Sequence, residues 1–160
     1  MPSSIKFKIL SALEKCFYDD DINSFEEISY ISLLKNEVAS IQLAYFDTKP
    51  DNDLNFANVC IDGELKDIIT VKQVIAVPSA YPVTPHDKDE GYLHTTPGLY
   101  PDLITDLDYA GRTTLISGNL RTLWLDIKPD SQIKGGKYPL DSKYLLNLRC
   151  KINEAIKDNM

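Results

Sequence analysis

The sequence predicts a mainly β protein, an antiparallel β-sandwich, and three observations carry that prediction. Apolar and polar residues alternate along some short runs, β-branched residues are concentrated in others, and turn-forming residues separate the runs. Alternation puts successive side chains on opposite faces of a strand, so that one face can be buried. Several short strands separated by turns are typical of a sandwich.

The first two elements of the chain differ in how clearly the sequence predicts their secondary structure. Near the N-terminus the apolar spacing fits a helix about as well as a strand, at Ile9, Leu10, Leu13 and Phe17. The next segment, 38–46, is a clear strand. Ile41 and Leu43 share one of its faces, and Gln42 lies on the other.

Two further strands are predicted before the middle of the chain. Residues 56–61 form an apolar run that ends at Asp62 and Gly63, a pair that favours a tight turn. Residues 68–77 are rich in β-branched side chains and end at Pro78.

The stretch from Pro78 to Gly111 is predicted to be a long irregular loop, because it holds five prolines and three glycines. A long loop inside a compact domain is usually functional. The candidate ligand contacts on it are Tyr81, Tyr92 and Tyr100. These rings could line a sugar-binding cleft, or they could fold inward and give the loop a small core of its own.

The C-terminal part combines one clear strand with a helix. Residues 121–127 alternate, and a glycine turn over 134–137 leads toward a further strand. Beyond it, apolar residues recur at i, i+3, i+7 and i+11, at Leu145, Leu148, Ile152 and Ile156. We therefore expect a helix over 141–157, and a division into a sandwich (1–140) and a helical tail (141–160).

Trp124, the only tryptophan, is a candidate ligand contact within the 121–127 strand. Alternation places it opposite Leu123 and Leu125, beside Asp126. An aromatic ring on a sandwich face can stack on a sugar ring. The pattern favours the other interpretation, that Trp124 packs beneath the long loop, since large aromatic side chains are mostly buried.

The acidic end of the loop raises the question of a metal. His86, Asp87, Asp89 and His94 have suitable ligand chemistry, but their spacing matches no established site, and a solvated acidic loop is the favoured interpretation. We predict no bound metal and no cofactor, and keep the first three as tentative ligand contacts. Paired carboxylates are adjacent and exposed by pattern, and nucleophile motifs are missing, so no catalytic residue is predicted.

Composition limits the partners of the chain. Its net charge of −7 disfavours nucleic acid and anionic membranes, and no run approaches the ~20 apolar residues of a membrane span. The N-terminus lacks a signal-peptide pattern, which predicts a cytoplasmic protein. Cys16, Cys60 and Cys150 are far apart, so we expect buried free thiols.

Residues 91–102, GYLHTTPGLYPD, resemble the YL-x-TTPGLYPD signature of bacterial glycoside hydrolases of family 123 and their relatives. Segments 34–45, 121–125 and 136–140 agree in type and order, so the resemblance covers about residues 5–140. It implies an N-terminal β-sandwich that precedes a (β/α)₈ barrel. In the family, that barrel carries an Asp–Glu pair that assists hydrolysis of N-acetyl-hexosaminides.

No barrel segment is present here, so no catalytic residue of the family can be assigned to a position in this chain. The resemblance implies a non-catalytic accessory domain that contacts carbohydrate, in a truncated or stand-alone form. The alternative is an interaction module that forms a homodimer through the surface that relatives cover with the barrel.

Overall fold

The computed structural model describes residues 5–48, 54–61, 63–84, 86 and 90–138, which form seven strands and two short 3-10 turns. The strands are β1 (Ile5–Ser11), β2 (Ala39–Asp47), β3 (Leu54–Asn58), β4 (Ile69–Ser79), β5 (Gly98–Asp106), β6 (Arg112–Ile116) and β7 (Leu120–Ile127). Every strand pair is antiparallel, which confirms the mainly β prediction. The helix predicted over 141–157 lies outside the described residues. Within them, no helix is long and apolar enough to cross a bilayer.

The strands form a five-stranded sheet, in the order β1-β2-β7-β4-β5, and a separate pair, β3-β6. β7 is therefore a central strand. Its Leu125 lies opposite Ile41 on β2 and opposite Val71 on β4. The hydrogen-bond ladders on both sides set the register of this strand, and with it the face on which each side chain lies.

The main core lies on one face of the five-stranded sheet. It consists of Ile9, Ile41, Leu43, Tyr45, Ile69, Leu115, Leu123, Leu125 and Ile127. Leu115 belongs to β6, so the small sheet packs against this face. Full burial of one such aliphatic side chain contributes roughly 1.5–3 kcal/mol, which makes this layer the main source of stability.

The opposite face of the sheet is covered in part by residues 12–25. A second, smaller core forms there from Leu10, Cys16, Ile22, Ala44 and Leu120. Gln42 is buried on the same face, where its side-chain amide donates to three backbone oxygens, the shortest bond being 2.7 Å to Glu14. This cover leaves the neighbouring part of the face, around Trp124, only partly buried.

The N-terminal segment is a strand, and both of its faces are buried. Ile9 enters the main core and its neighbour Leu10 enters the second core. Adjacent apolar residues therefore replace the alternation that a half-buried strand would show. On its free edge, the Ile9 carbonyl accepts a 2.9 Å hydrogen bond from the Ile28 N–H.

The predicted extent of the 78–111 loop is wrong, because β5 lies inside it and pairs with β4. Prolines did not prevent the pairing. Pro78 lies where β4 has no second neighbour, since β7 pairs only with Ile69–Gln73. Pro101 is on the edge strand, next to a register shift in the ladder, and edges and bulges are where sheets tolerate proline. Among the described residues, the irregular parts of this stretch are 80–84, 86, 90–97 and 107–111.

The two cysteines in the described residues differ. Cys16 is buried, and burial, with the nearby charges of Asp20 and Glu14, raises the pKa of its thiol to about 12. It therefore stays protonated and unreactive. Cys60 is exposed, so the expectation of a buried thiol is wrong at that position.

Tyr45 is 2% exposed, and its hydroxyl joins the two sheets and provides a test of the fold. It lies 3.0 Å from the Thr113 hydroxyl and donates to the Thr114 carbonyl oxygen at 2.8 Å. Tyr45→Phe leaves these β6 groups without their partner, so we expect the free energy of unfolding in urea to fall by about 1–3 kcal/mol. Tyr81→Phe, at an 89% exposed position, is the matched control and should change nothing. Equal stability of the two variants would contradict this role.

Candidate functional site

Trp124 lies on the face of β7 opposite the main core, as the alternation predicts. Its neighbours across the sheet are Gln42 on β2 and Lys72 on β4. Gln42 is buried, whereas Trp124 and Lys72 are partly exposed. The indole therefore sits at the edge of the covered area, on the central strand of the five-stranded sheet.

Asp126, two residues along β7, connects the side chains around this ring. One carboxylate oxygen accepts hydrogen bonds from the Trp124 indole N–H at 2.7 Å and from the Ser40 hydroxyl at 2.6 Å. The other oxygen lies 3.5 Å from the Lys72 ammonium nitrogen. We call Ser40, Lys72, Trp124 and Asp126 the Trp124 cluster. It brings together β2, β4 and β7, which are distant in sequence.

The charge of Asp126 is stabilised by this arrangement. Desolvation alone would raise the pKa of the carboxyl, but the hydrogen bonds from Ser40 and Trp124, together with the charge of Lys72, outweigh it and hold the pKa below its ordinary value. Asp126 is thus an ionised hydrogen-bond acceptor at neutral pH and is unsuited to donate a proton.

The cluster has the components of a polar binding surface. Because Asp126 satisfies the indole N–H from the same strand, the ring is held in a fixed orientation while part of it remains exposed. Thr70, exposed, lies opposite Asp126, and Asp106, also exposed, lies opposite Lys72. A ring face beside hydroxyl, carboxylate and ammonium groups can bind a ligand that has both C–H surfaces and hydroxyls.

The loop tyrosines do not behave alike. Tyr100 is partly buried: its ring packs edge-on against Phe17 at 5.7 Å, and its hydroxyl donates to the Thr96 carbonyl oxygen at 2.6 Å. Tyr81 and Tyr92 are 89% and 44% exposed. Tyr100 therefore contributes to the packing of its own loop, whereas Tyr81 and Tyr92 offer their rings to solvent.

The structure describes two of the four candidate metal ligands, His86 and His94. His86 is exposed, Asp87 and Asp89 lie outside the described residues, and His94 stacks on Phe17 with ring centroids 3.9 Å apart. Among the residues that the structure does describe, no three His, Cys, Asp or Glu side chains come together as a metal would need. The aromatic group of Phe17, His94 and Tyr100 is instead a packing contact between the loop and the segment that covers the second core.

The sequence prediction selected Trp124 and placed Asp126 beside it without naming it a site residue, and it missed Ser40 and Lys72. Their positions depend on the strand order β2-β7-β4, which no local pattern in the chain reveals. The only available signal was the predicted faces of the strands, because alternation places Ser40 opposite Ile41.

Comparison with known proteins gives a structural likeness. No family model matches the chain, and neither does any curated protein. Among solved structures, it is similar to a family 123 glycoside hydrolase from Clostridium perfringens, studied for glycolipid glycan hydrolysis. The TM-score is 0.55 at 11% sequence identity, and the match covers 84% of this chain. This chain corresponds to 23% of that enzyme's length, so the likeness shows a shared fold over part of a glycoside hydrolase chain.

Asp126→Asn tests the electrostatics of the cluster. The pKa of Asp126 in the folded protein lies below its ordinary value of 3.8. Its charge therefore stabilises the fold above the unfolded pKa, and this contribution is lost as the pH falls through the folded pKa. In urea unfolding, we expect wild type to exceed the variant in stability at about pH 6 and the difference to shrink by about pH 3. A difference that does not change with pH would contradict the assignment.

Proposed function

We propose that this chain is a non-catalytic, sandwich-type accessory domain of the glycoside hydrolase class, and that it contacts carbohydrate through the Trp124 cluster. The observation that carries the proposal is the partly exposed Trp124 ring, held by Asp126 on a central strand. The likeness to part of a family 123 enzyme supports the class of protein in which such a domain would act. The resemblance of residues 91–102 to that family supports an N-terminal position in it.

The chemistry of the cluster fits a neutral sugar. One face of a pyranose presents C–H groups that stack on an aromatic ring, while its hydroxyls need donors and acceptors at the rim of that ring. Asp126 and Ser40 supply acceptors, and Lys72 supplies a donor. Because each group is fixed by a hydrogen bond or by the sheet, little side-chain freedom is lost when a sugar binds.

Neither of the two described carboxyls whose pKa is shifted, Asp108 and Asp126, suits the acid role of a glycosidase. A glycosidase acid needs a raised pKa in order to protonate the leaving oxygen. For Asp108, desolvation raises the pKa, but hydrogen bonds and the charge of Arg112 outweigh this effect and hold the pKa below its ordinary value. Asp126 is likewise held below that range. Neither carboxyl has the property that the acid role requires.

Calorimetric titration with N,N′,N″-triacetylchitotriose, a neutral N-acetyl-hexosamine oligosaccharide, tests this function. We expect Trp124→Ala to weaken binding by about 2 kcal/mol, a factor of roughly 30, as removal of a central aromatic contact does. Trp124→Phe keeps a ring and should lose less. Phe56→Ala removes an exposed aromatic ring from β3 and is the matched control, expected to bind as wild type does. If Trp124→Ala bound the oligosaccharide with wild-type affinity, the Trp124 cluster would not be the sugar-binding site.

The same titration on a Tyr81→Ala/Tyr92→Ala double variant tests whether the loop contributes. Both rings are exposed, so the substitutions should leave the stability unchanged. A further loss of affinity would extend the contact surface from the cluster to the loop, and unchanged affinity would confine it to the sheet. For wild type, we expect no hydrolysis of aryl N-acetyl-hexosaminides.

Self-association is a second candidate function, because β4 and β5 expose apolar side chains on the two faces of the sheet: Val77, Leu99, Leu103 and Ile104. The edge itself is protected, since Pro101 interrupts it and Lys15 donates to the Pro101 carbonyl oxygen. A homodimer would therefore form through side-chain contact rather than through strand pairing. Light scattering across a concentration series measures it: a chain that dimerises, and becomes monomeric in Leu103→Asp, supports this function. A strict monomer at high concentration excludes it.

A further inference from the structure

A second potential site lies at the end of the main core, away from the Trp124 face. It is a cleft of about 790 Å³, within the size range of small-molecule sites. Three segments line it: residues 29–35, residues 65 and 68, and residues 127–138. It opens where β7 ends. We call it the lysine cleft, for the three lysines among its lining residues, Lys35, Lys134 and Lys137.

The walls of the lysine cleft are joined by hydrogen bonds. The Asn36 N–H donates to the Pro129 carbonyl oxygen at 2.8 Å, and the Lys35 ammonium donates to the Ser131 carbonyl oxygen at 3.0 Å. On the other side, the Lys128 N–H donates to the Ile68 carbonyl oxygen at 2.8 Å. The cleft is thus built into the fold, and a ligand would not have to order its walls.

Much of the lining is aliphatic, and we call this part the floor of the cleft. Its apolar lining residues include Ile31, Leu33, Leu65, Ile68, Ile127 and Ile133. Such side chains offer no hydrogen bonds, so sugar hydroxyls that lie against them would lose their water partners without replacement. An alkyl chain, in contrast, gains free energy with each methylene that it buries there. The floor therefore favours an acyl chain over a saccharide.

The charge of the lining is opposite to that of the protein. The chain carries 24 acidic and 17 basic residues, yet the described residues that line the cleft include three lysines and no Asp or Glu. Tyr138, whose hydroxyl donates to the Lys134 carbonyl oxygen at 2.6 Å, lies among these lysines and holds that segment in place. A group of cations with no acidic neighbour in the lining favours an anionic head group.

From this combination we propose that the lysine cleft binds an amphipathic carboxylate, with its acyl chain on the aliphatic floor and its head group at the lysines. Two other occupants fit the charge less well. Residues 139–160 carry four basic and three acidic side chains and so have no net negative charge. A second copy of the chain, with its own net charge of −7, meets overall repulsion from the first.

Isothermal titration of the full chain with dodecanoate, below its micelle concentration, tests the proposal. We expect saturable binding with one site per chain. Shortening the probe to decanoate and octanoate should weaken binding by about fourfold for each methylene removed, which follows from the transfer free energy of a methylene. Dodecyl maltoside, with the same chain and a neutral head, should bind about tenfold more weakly or worse, because it loses the charge contact.

Substitutions inside and outside the cleft distinguish binding in the cleft from general adsorption of the anion to lysines. Lys137→Glu should weaken dodecanoate binding by about tenfold or more. Lys6→Glu, at an exposed position of β1 outside the lining, changes the net charge equally and should bind as wild type does. Ile133→Asp puts a carboxylate into the floor and should abolish binding, with the unfolding midpoint confirming a folded protein.

Three results would overturn the proposal. The first is that dodecanoate does not bind, as expected if the tail or a second copy fills the cleft. The second is an affinity that does not depend on the length of the acyl chain. The third is equal affinity of dodecanoate for Lys137→Glu and Lys6→Glu. Since the lysine cleft and the Trp124 cluster share no residue, this proposal and the sugar-binding proposal can fail independently.

Discussion

The register of β7 is the constraint on which the rest of this structure depends. β7 is paired on both sides, and its alternation sends Leu123 and Leu125 into the main core while it holds Trp124 and Asp126 on the other face. A slip by one residue would bury the charged Asp126 and expose the leucines, at a cost that no surface contact could offset. The core and the candidate sugar site are therefore products of one alternation, and the packing that stabilises the fold also orients the indole.

How far the sequence predicts this fold depends on how each strand is buried. β2 and β7 alternate visibly in part of their length, and their existence and faces follow from pattern alone. β1 remained ambiguous because Ile9 and Leu10 each enter a core, so that its apolar residues are adjacent. β5 was missed because Pro101 is tolerated there only by virtue of its edge position, and an edge is a property of the assembled sheet.

The candidate sites, too, were predictable only in part from the sequence. Strand alternation placed Trp124 on the face opposite the core, and nothing further was needed for that. The cluster around it required the order β2-β7-β4, which sets Ser40 and Lys72 beside Asp126 from more than 50 residues away in the chain. The lysine cleft could not be predicted for a similar reason. Lys35 comes from the segment before β2, whereas Lys134 and Lys137 follow the end of β7, and only the folded chain brings these segments together. Local pattern specifies faces, whereas sites are assembled from neighbours in space.

The central claim is that sugar contacts the ring of Trp124, and the most direct measurement is an amide and indole ¹H–¹⁵N spectrum during titration with triacetylchitotriose. Because the chain has one tryptophan, the spectrum contains one indole N–H signal, and this N–H donates a hydrogen bond to Asp126. We predict that this signal shifts progressively to saturation, together with the backbone amides of Ser40 and Thr70. Sugar-induced shifts elsewhere, with the indole signal unchanged at saturation, would contradict the account, as would a spectrum that the sugar leaves unaltered.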